Sequence, residues 1–238
     1  MTHAVYITGT DTGIGKTTVS CALLHALRAR GLHAVGMKPV ASGCDATPDG
    51  LRNDDALHLI AASDPQPDYA LCNPFAFPDP TAPELAAADI SAEVELEPMR
   101  LAFAALATQA DAVVVEGVGG WAAPLSARLD QSELAKALDL PIILVVGLRL
   151  GCINHSRLSA RAIRADGLRL LGWIGNAVDP QFHRCEETIA ILDRVIDAPR
   201  LGLLQHQDSV IDATLHSSAL MLAASHLADF WHSADSSQ

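Results

Sequence analysis

Short apolar segments alternate with longer segments of helical spacing along most of the chain. The apolar segments are four to eight residues long and carry few polar positions, which is typical of strands buried on both faces. Strands that alternate with helices predict a mostly parallel β-sheet flanked by helices on both faces. We predict strands over residues 4–7, 33–38, 112–116, 141–146, 168–175 and 200–204, and helices over 19–27, 54–62, 84–88, 98–107, 130–138, 154–165, 181–196 and 213–231.

Neither an internal repeat nor a domain-scale linker interrupts this pattern. We therefore predict a single domain over residues 1–231, followed by a small polar tail, 232–238, that is frayed. Turn-forming residues predict a loop over 41–53. Six prolines in residues 64–83 predict a long segment without regular structure. Its apolar members, such as Tyr69 and Phe75, favour an ordered lid over a flexible tether.

The composition narrows the possible partners. The 238 residues include 16 Lys and Arg against 28 Asp and Glu, for a net charge of −12. This balance argues against binding to a nucleic-acid backbone or an anionic membrane. Five scattered cysteines without a C-x-x-C pair favour a reducing compartment. The chain also lacks a signal-like or membrane-spanning apolar run, so we expect a cytoplasmic protein.

The first strand, the Gly- and Thr-rich segment after it and the first helix form a candidate phosphate site. We call residues 9–18 the phosphate loop. Backbone N–H groups and a helix N-terminus favour an anion there. Lys16 would reach the outer phosphates, and the Thr17 hydroxyl would bind Mg²⁺. The usual P-loop spacing requires glycine where this chain has Thr10. An ordinary strand-to-helix turn therefore remains the alternative, although the strand and helix context favours a P-loop.

Polar residues close several other predicted strands. Lys38, Glu116 and Asn176 stand at or just after strand ends, and parallel strands bring such residues to one crevice. Glu116 is a candidate Mg²⁺ ligand beside Thr17, the alternative being a solvated strand end. Asp54 and Asp55 open a predicted helix, where capping explains an acidic residue as well as metal binding does.

Two further features are weaker signals of binding. Residues 151–154 precede a helix and could bind an anion such as a carboxylate, although a plain helix start capped by Asn154 is as good an explanation. Gly119 and Gly120 allow the backbone to approach a ligand closely.

Taken together and in order, separated motifs resemble the dethiobiotin synthetase family over residues 6–202. The motifs are Thr8-Gly9-Thr10-Asp11-Thr12 with Gly15-Lys16-Thr17; Lys38-Pro39-Val40-Ala41-Ser42-Gly43; Gly50-Leu51-Arg52-Asn53 with Asp55-Ala56-Leu57; Asn73-Pro74-Phe75; Val115-Glu116-Gly117 with Gly119-Gly120-Trp121 and Pro124-Leu125; and Gly151-Cys152-Ile153-Asn154-His155. The family also shows Thr at position 10. The chain departs from common family residues at Gly13, Ala82, Glu84 and Gln205.

The resemblance implies a homodimer of the P-loop type that uses ATP, Mg²⁺, carbon dioxide or bicarbonate, and 7,8-diaminononanoate. One substrate amine would capture carbon dioxide as a carbamate. The carbamate would attack the γ-phosphate of ATP to give a carbamic–phosphoric anhydride. The second amine would close the ring and expel phosphate, giving dethiobiotin for biotin biosynthesis.

The resemblance also implies a role for each matched residue. Lys38 and Lys16 would be catalytic, and Thr17, Asp55 and Glu116 would bind Mg²⁺. Ser42 would bind the amine end of the substrate, and Gly151, Cys152, Ile153 and Asn154 of the partner subunit would receive its carboxylate at the subunit interface. The implied nucleotide site comprises Gly13, Ile14, Gly15, Lys16, Thr17, Thr18, Asp55, Glu116, Gly117, Val118, Gly119, Asn176, Ala177, Gln205, His206 and Gln207, with Asn176 at the adenine edge.

Two other functions fit parts of the sequence. One is a related amide-forming P-loop ligase, but such enzymes normally carry a glutaminase domain for which no length remains. The other is an ATPase switch of the partitioning or metal-insertion type. Those proteins usually have a second lysine in the phosphate loop near position 10 and a basic docking element, so Thr10 and the acidic charge argue against a switch.

Overall fold

The structure is a computed structural model and describes residues 2–206 and 217–235. Strands and helices alternate through most of this length. In chain order the elements are β1 (His3–Gly9), α1 (Lys16–Ala29), β2 (Ala34–Met37), β3 (Val40–Ser42), β4 (Asp45–Thr47), β5 (Gly50–Arg52), α2 (Asp54–Ala62), α3 (Tyr69–Cys72), β6 (Phe75–Phe77), α4 (Pro83–Asp89), α5 (Leu96–Ala107), β7 (Ala112–Gly120), β8 (Pro124–Ser126), β9 (Leu129–Asp130), α6 (Gln131–Ala137), β10 (Ile142–Gly147), α7 (Cys152–Ala165), β11 (Leu170–Asn176), α8 (Cys185–Val195), β12 (Arg200–Leu204), a 3₁₀ turn (Ser218–Leu220) and α9 (Met221–Asp235).

A six-stranded sheet forms the centre, with the order β12-β11-β10-β1-β7-β2. Every neighbouring pair in it is parallel, as the sequence predicted. Strand β1 lies between β7 and β10, and β2 lies on the far side of β7. The segments that leave the carboxyl ends of β1, β7 and β2 therefore emerge side by side, and this edge of the sheet carries the site described below.

Successive side chains along the strands lie on opposite faces of the sheet, where they pack in two apolar layers. Val5 and Ile7 of β1 pack on one face with α1, α2 and α9, whereas Tyr6 packs on the other face with residues of α5 to α8. Each fully buried aliphatic side chain contributes about 1.5–3 kcal/mol relative to exposure. Within the described ranges, no helix is long and apolar enough to cross a bilayer.

Two segments predicted to be irregular contain regular structure. The predicted loop 41–53 includes part of β3 and the antiparallel hairpin β4–β5, and residues 64–83 include α3 and β6. Strand β6 pairs in parallel with β3, so its partner lies more than 30 residues away and leaves no local signal. Pro74 and Pro78 flank β6 without interrupting it, which is why proline content misled the prediction.

Other boundaries shift by a few residues. Strand β7 continues past Glu116 to Gly120, where it pairs with Gly9 after a register shift. Helix α8 begins at Cys185 and not at residue 181, because a turn over 179–182 precedes it. Helix α9 extends to Asp235, four residues into the segment predicted as a frayed tail. The predicted helix residues 213–216 and the tail residues 236–238 lie outside the described residues.

Candidate active site

The phosphate loop connects β1 directly to α1. Gly13 and Gly15 adopt left-handed backbone angles, with φ of 69° and 82°. At Gly15 a Cβ would lie 2.1 Å from Asn176 Nδ2, so any other residue would have to displace that side chain and also adopt a left-handed backbone angle. Thr10 has no such angle, and its N–H donates to the Val145 carbonyl at 3.0 Å. A residue with a side chain is therefore accommodated at position 10, which accounts for the departure from the usual spacing.

Lys16 is the first residue of α1 and is only 6% exposed. Its Nζ donates to the Asp11 carbonyl at 2.9 Å, across the phosphate loop. Burial, together with the nearby charge of Lys38, lowers the Lys16 pKa from 10.5 to about 8. The ammonium is therefore poorly compensated, and an added anion would stabilise it.

Four side chains from four elements or connections meet beside the phosphate loop, and we call them the Lys38 cluster: Thr17, Lys38, Asp55 and Glu116. Lys38 follows β2 directly, and its Nζ lies 2.6 Å from Glu116 Oε1 and 2.8 Å from Asp55 Oδ2. The Thr17 hydroxyl donates to Glu116 Oε1 at 2.9 Å. Glu116 and Lys38 are buried, whereas the Asp55 side chain is 44% exposed.

The opposite charges within the Lys38 cluster compensate one another, and this compensation shifts the pKa values of its members. Burial lowers the pKa of Lys38, but the carboxylates of Glu116 and Asp55 outweigh burial and raise that pKa above its usual value. Burial likewise raises the pKa of Asp55, but the Lys38 charge and hydrogen bonds from Lys38 and Thr17 reverse this and lower it. Lys38 thus stays protonated and both carboxyl groups have a cationic or hydroxyl partner.

The oxygen atoms of the Lys38 cluster suit a magnesium ion. Glu116 Oε2 is buried and accepts no hydrogen bond from any residue within 2–206 or 217–235. With the Asp55 carboxylate and the Thr17 hydroxyl nearby, it completes a hard oxygen donor set. Mg²⁺ prefers such sets of one or two carboxylates with substrate phosphates. The predicted ligands Thr17, Asp55 and Glu116 therefore fit the ion.

A cavity of about 750 Å³ opens over the phosphate loop and the Lys38 cluster. Ser42 lines it too, and its buried Oγ has no hydrogen-bond partner among the described residues. The cavity thus brings together eleven residues that were assigned a catalytic, metal-binding, nucleotide-binding or substrate-binding role: Gly13, Gly15, Lys16, Thr17, Thr18, Lys38, Ser42, Asp55, Glu116, Val118 and Gly119.

Other predicted nucleotide residues do not line the cavity. The Ile14 side chain is buried in the core, and Gly117 is backed by the Gln131 side chain. Asn176 ends β11, and its Nδ2 donates to the Ile14 carbonyl at 2.9 Å. Three further predicted residues follow β11 or β12. The Ala177 N–H donates to the Leu204 carbonyl, the His206 ring contacts the Ala177 carbonyl, and Gln205 is exposed. Gln207 lies outside the described residues.

Residues 151–154 are placed differently from the rest of the predicted site. Gly151 precedes α7 with a φ of 95°, Cys152 is buried, and Asn154 is exposed. None of the four lines the cavity of the same chain. Leu150, directly before them, is 91% exposed.

Several residues near the cavity were not predicted from the sequence. Asn53 and Thr81 line the cavity, and Gln131 donates to the Gly120 carbonyl at 2.8 Å. Asn73 donates to the Lys38 carbonyl at 2.7 Å. The motif Asn73-Pro74-Phe75 carried a signal for Asn73, but nothing in the local sequence assigns a role to Gln131 or Thr81.

Comparison with known proteins places the chain among others of similar sequence and fold. A family model described as an AAA domain matches residues 3–214. The chain is 63% identical over 219 residues to the ATP-dependent dethiobiotin synthetase BioD of Xanthomonas euvesicatoria pv. vesicatoria (strain 85-10), covering 92% of this chain and 97% of that protein. It is 66% identical over 199 residues to the same-named protein of Xanthomonas oryzae pv. oryzae (strain PXO99A), covering 84% of this chain and 89% of that protein.

A solved structure of another protein is similar to this chain in fold. The MinC:MinD cell division protein complex of Aquifex aeolicus matches with a TM-score of 0.60 at 14% identity, covering 95% of this chain and 96% of that chain. At this identity the match shows the fold alone. Together with the family model, it confirms the predicted fold, a mostly parallel sheet flanked by helices.

Proposed function

The chain belongs to the ATP-dependent dethiobiotin synthetase family, and from that membership we propose that it makes dethiobiotin as an ATP-dependent ligase. In the proposed reaction one amine of 7,8-diaminononanoate adds to carbon dioxide, loses a proton and becomes a carbamate. A carbamate oxygen attacks the γ-phosphorus of ATP, and ADP leaves. The second amine attacks the resulting anhydride carbon, closes the ring and expels phosphate. The observation that carries this proposal is the meeting of Lys16, Lys38 and the carboxylates of Asp55 and Glu116 in one cavity.

Positioning and charge do most of the work in phosphoryl transfer. The phosphate loop would hold the triphosphate through its backbone N–H groups and the N-terminus of α1. Lys16 would leave the Asp11 carbonyl for the transferred phosphoryl group, because a phosphate anion is a stronger partner than a carbonyl. Lys38 would lie between the carbamate and the γ-phosphate and offset the repulsion between two anions.

Thr17, Asp55 and Glu116 are the proposed magnesium ligands. When bound there with ATP, Mg²⁺ supplies positive charge to the phosphate oxygens during transfer. Displacement of Lys38 Nζ from the two carboxylates would accompany metal binding, and would free the ammonium to turn toward the reacting anions. The buried Oε2 of Glu116, without a hydrogen-bond donor among the described residues, supports this assignment.

The adenine of ATP and the amine end of the diamine have separate proposed sites. Asn176, Ala177 and the segment after β12, including Gln205, His206 and Gln207, would hold the adenine beyond the phosphate loop. Ser42 would accept a hydrogen bond from a substrate amine. This role is supported by its hydroxyl in the cavity wall, which has no hydrogen-bond partner within residues 2–206 and 217–235.

The carboxylate end of the substrate would bind to residues 151–154 of a second subunit. Within one chain these residues do not line the cavity, so the proposed role calls for a second copy of the chain. We also propose a cytoplasmic location, where these metabolites and ATP are available, without nucleic-acid or membrane partners.

Phosphate release tests the proposed reaction. Purified protein with ATP, Mg²⁺ and bicarbonate should release phosphate only when 7,8-diaminononanoate is added, and mass spectrometry should detect one dethiobiotin per phosphate. Ser42→Ala should raise the KM for the diamine more than that for ATP. Diamine-independent hydrolysis, or stimulation by DNA, would instead support an ATPase switch.

Subunit mixing tests the shared site. Lys38→Met inactivates the site of its own chain, and Ile153→Pro removes one N–H from the first turn of α7, where proline is tolerated. If residues 151–154 act on the partner's cavity, a mixed dimer has one intact site and regains activity that neither variant has alone. Mixtures that stay inactive, despite exchange of subunits seen by mass spectrometry, would exclude the shared site.

A further inference from the structure

The backbone of Lys38 is held by a neighbouring segment and not by the central sheet. Strand β2 ends at Met37, and Pro39 after Lys38 has no N–H to donate. The Lys38 N–H donates to the Cys72 carbonyl at 2.8 Å, and the Lys38 carbonyl accepts from Asn73 Nδ2 at 2.7 Å. Both peptide groups of Lys38 therefore depend on residues 72 and 73.

Asn73 and Tyr69 connect this backbone to the start of α2. Asn73 is 3% exposed, and its Oδ1 accepts a hydrogen bond from the Tyr69 hydroxyl at 2.9 Å. The same hydroxyl accepts from the Asn53 N–H at 2.8 Å. Asn53 is the N-cap of α2, and Asp55 lies in the first turn of that helix.

These bonds form a closed circuit around two residues of the active site. One path joins Lys38 to Asp55 directly, through Nζ and Oδ2. The other joins their backbones through Asn73, Tyr69 and Asn53. The Tyr69 ring is itself fixed, because the Arg52 guanidinium lies 4.1 Å from the ring centroid. The second path survives when Lys38 Nζ leaves Asp55 for a bound anion.

We propose that Tyr69 and Asn73 are positioning residues that set the distance between the Lys38 ammonium and the Asp55 carboxylate. This inference rests on the proposed function, since it assigns the two residues to the same reaction. Neither residue lines the cavity, so neither would contact the nucleotide or the diamine. Their loss should therefore affect the chemical step and leave metal-free nucleotide binding intact.

Tyr69→Phe is the sharpest variant, because it removes only the hydroxyl and keeps the ring beneath Arg52. A displacement of reacting groups by about 1 Å can cost a hundredfold in rate, so we expect a fall in kcat of about tenfold or more. The affinity for a non-hydrolysable ATP analogue measured without Mg²⁺ should stay within about twofold, since those contacts come from the phosphate loop. Asn73→Ser, too short to reach from Lys38 to Tyr69, should show the same split.

Ser63→Ala is the matched control. The Ser63 hydroxyl also bridges α2 and β2, donating to the Leu59 carbonyl at 2.6 Å and accepting from the Gly36 N–H at 2.9 Å. It does so at the opposite end of α2 from Asp55. This variant should lower the melting temperature at least as much as Tyr69→Phe but keep kcat near the wild-type value.

The outcomes separate the inference from the proposed function. A folded Tyr69→Phe protein with unchanged kcat would overturn the inference, as would an equal loss of kcat in Ser63→Ala. Loss of metal-free analogue binding in both Tyr69→Phe and Asn73→Ser would also overturn it, because the residues would then support the whole site. If the wild-type protein shows no diamine-dependent phosphate release, the proposed function fails first and the inference fails with it.

Discussion

The two lysines of the cavity should respond in opposite directions when each is replaced by methionine. Methionine keeps much of the length of the side chain and removes the charge. Both variants should lose more than about a hundredfold in kcat, since each removes charge stabilisation from the transferring phosphoryl group. Their effects on stability should differ, because the folded protein raises the pKa of Lys38 and lowers that of Lys16.

The size of the Lys16 effect follows from its pKa. A shift from 10.5 to about 8 means that the folded protein binds this proton less tightly than the unfolded chain does. At neutral pH the charged Lys16 therefore lowers the free energy of unfolding by about 3 kcal/mol. The penalty is complete below pH 8 and fades as the pH rises toward 10.5. After subtraction of about 1 kcal/mol for the lost hydrogen bond to Asp11, Lys16→Met should raise the melting temperature by about 4–8 °C.

The Lys38 effect has the opposite sign. Because its folded-state pKa is raised, its stabilising contribution is fully present below pH 10.5 and disappears only at more alkaline pH. Removal of one partner from a buried ion pair costs about 3–5 kcal/mol. Lys38→Met leaves the fully buried Glu116 without its cation, so the melting temperature should fall by about 10 °C.

Differential scanning calorimetry of the ligand-free proteins at pH 7 and pH 10 measures both effects. At pH 10 the gain from Lys16→Met should largely vanish, whereas the loss from Lys38→Met should persist. Equal destabilisation by both substitutions at pH 7 would refute the reasoning, and so would a Lys38→Met protein as stable as the wild type.

Three other predictions address the phosphate loop and the metal site. At pH 8.5 the binding of a non-hydrolysable ATP analogue should take up protons as Lys16 regains its charge, and calorimetry in buffers of different ionisation enthalpy should detect this uptake. Lys16→Arg should show no uptake. Glu116→Gln should weaken Mg²⁺-dependent analogue binding by about tenfold or more but leave metal-free binding nearly unchanged, as a Mg²⁺ titration would measure. Gly15→Ala should abolish analogue binding, whereas Gly31→Ala, at a φ of 85° with open space around its Cβ position, should cost only about 1–2 kcal/mol of stability.

The central sheet was predictable because its signals are local. Each strand is a short apolar run, and the order of strands and helices restricts such a chain to a parallel sheet covered on both faces. Strand β12 and helix α2 were predicted with the boundaries that the structure has. The adjacency of Lys38, Glu116 and the phosphate loop followed from the rule that ligands bind beyond the carboxyl ends of parallel strands.

The surroundings of the site could not be predicted from the sequence. They depend on contacts between distant parts of the chain, or on residues whose position has more than one explanation. Strand β6 exists through pairing with β3, and its own three residues between prolines give no strand pattern. The roles of Asn73 and Tyr69 depend on hydrogen bonds to Lys38 and Asn53, more than 15 residues away in sequence. Helix capping explains Asp54 and Asp55 equally well, so it could not tell which of them belongs to the site. The contact with Lys38 identifies Asp55 as the residue in the site.

The charge balance of the site accounts for anion binding by an acidic protein. Lys16 and Lys38 offset Asp55 and Glu116, so these four groups together carry no net charge although the chain carries −12. Without metal, Lys38 is held by the carboxylates, and of these two lysines Lys16 is the one available to a triphosphate. A divalent cation on the carboxylates would make the group cationic and release Lys38 at the same time. Metal and nucleotide should therefore strengthen each other's binding, and by the same factor, because the coupling free energy between two ligands is reciprocal.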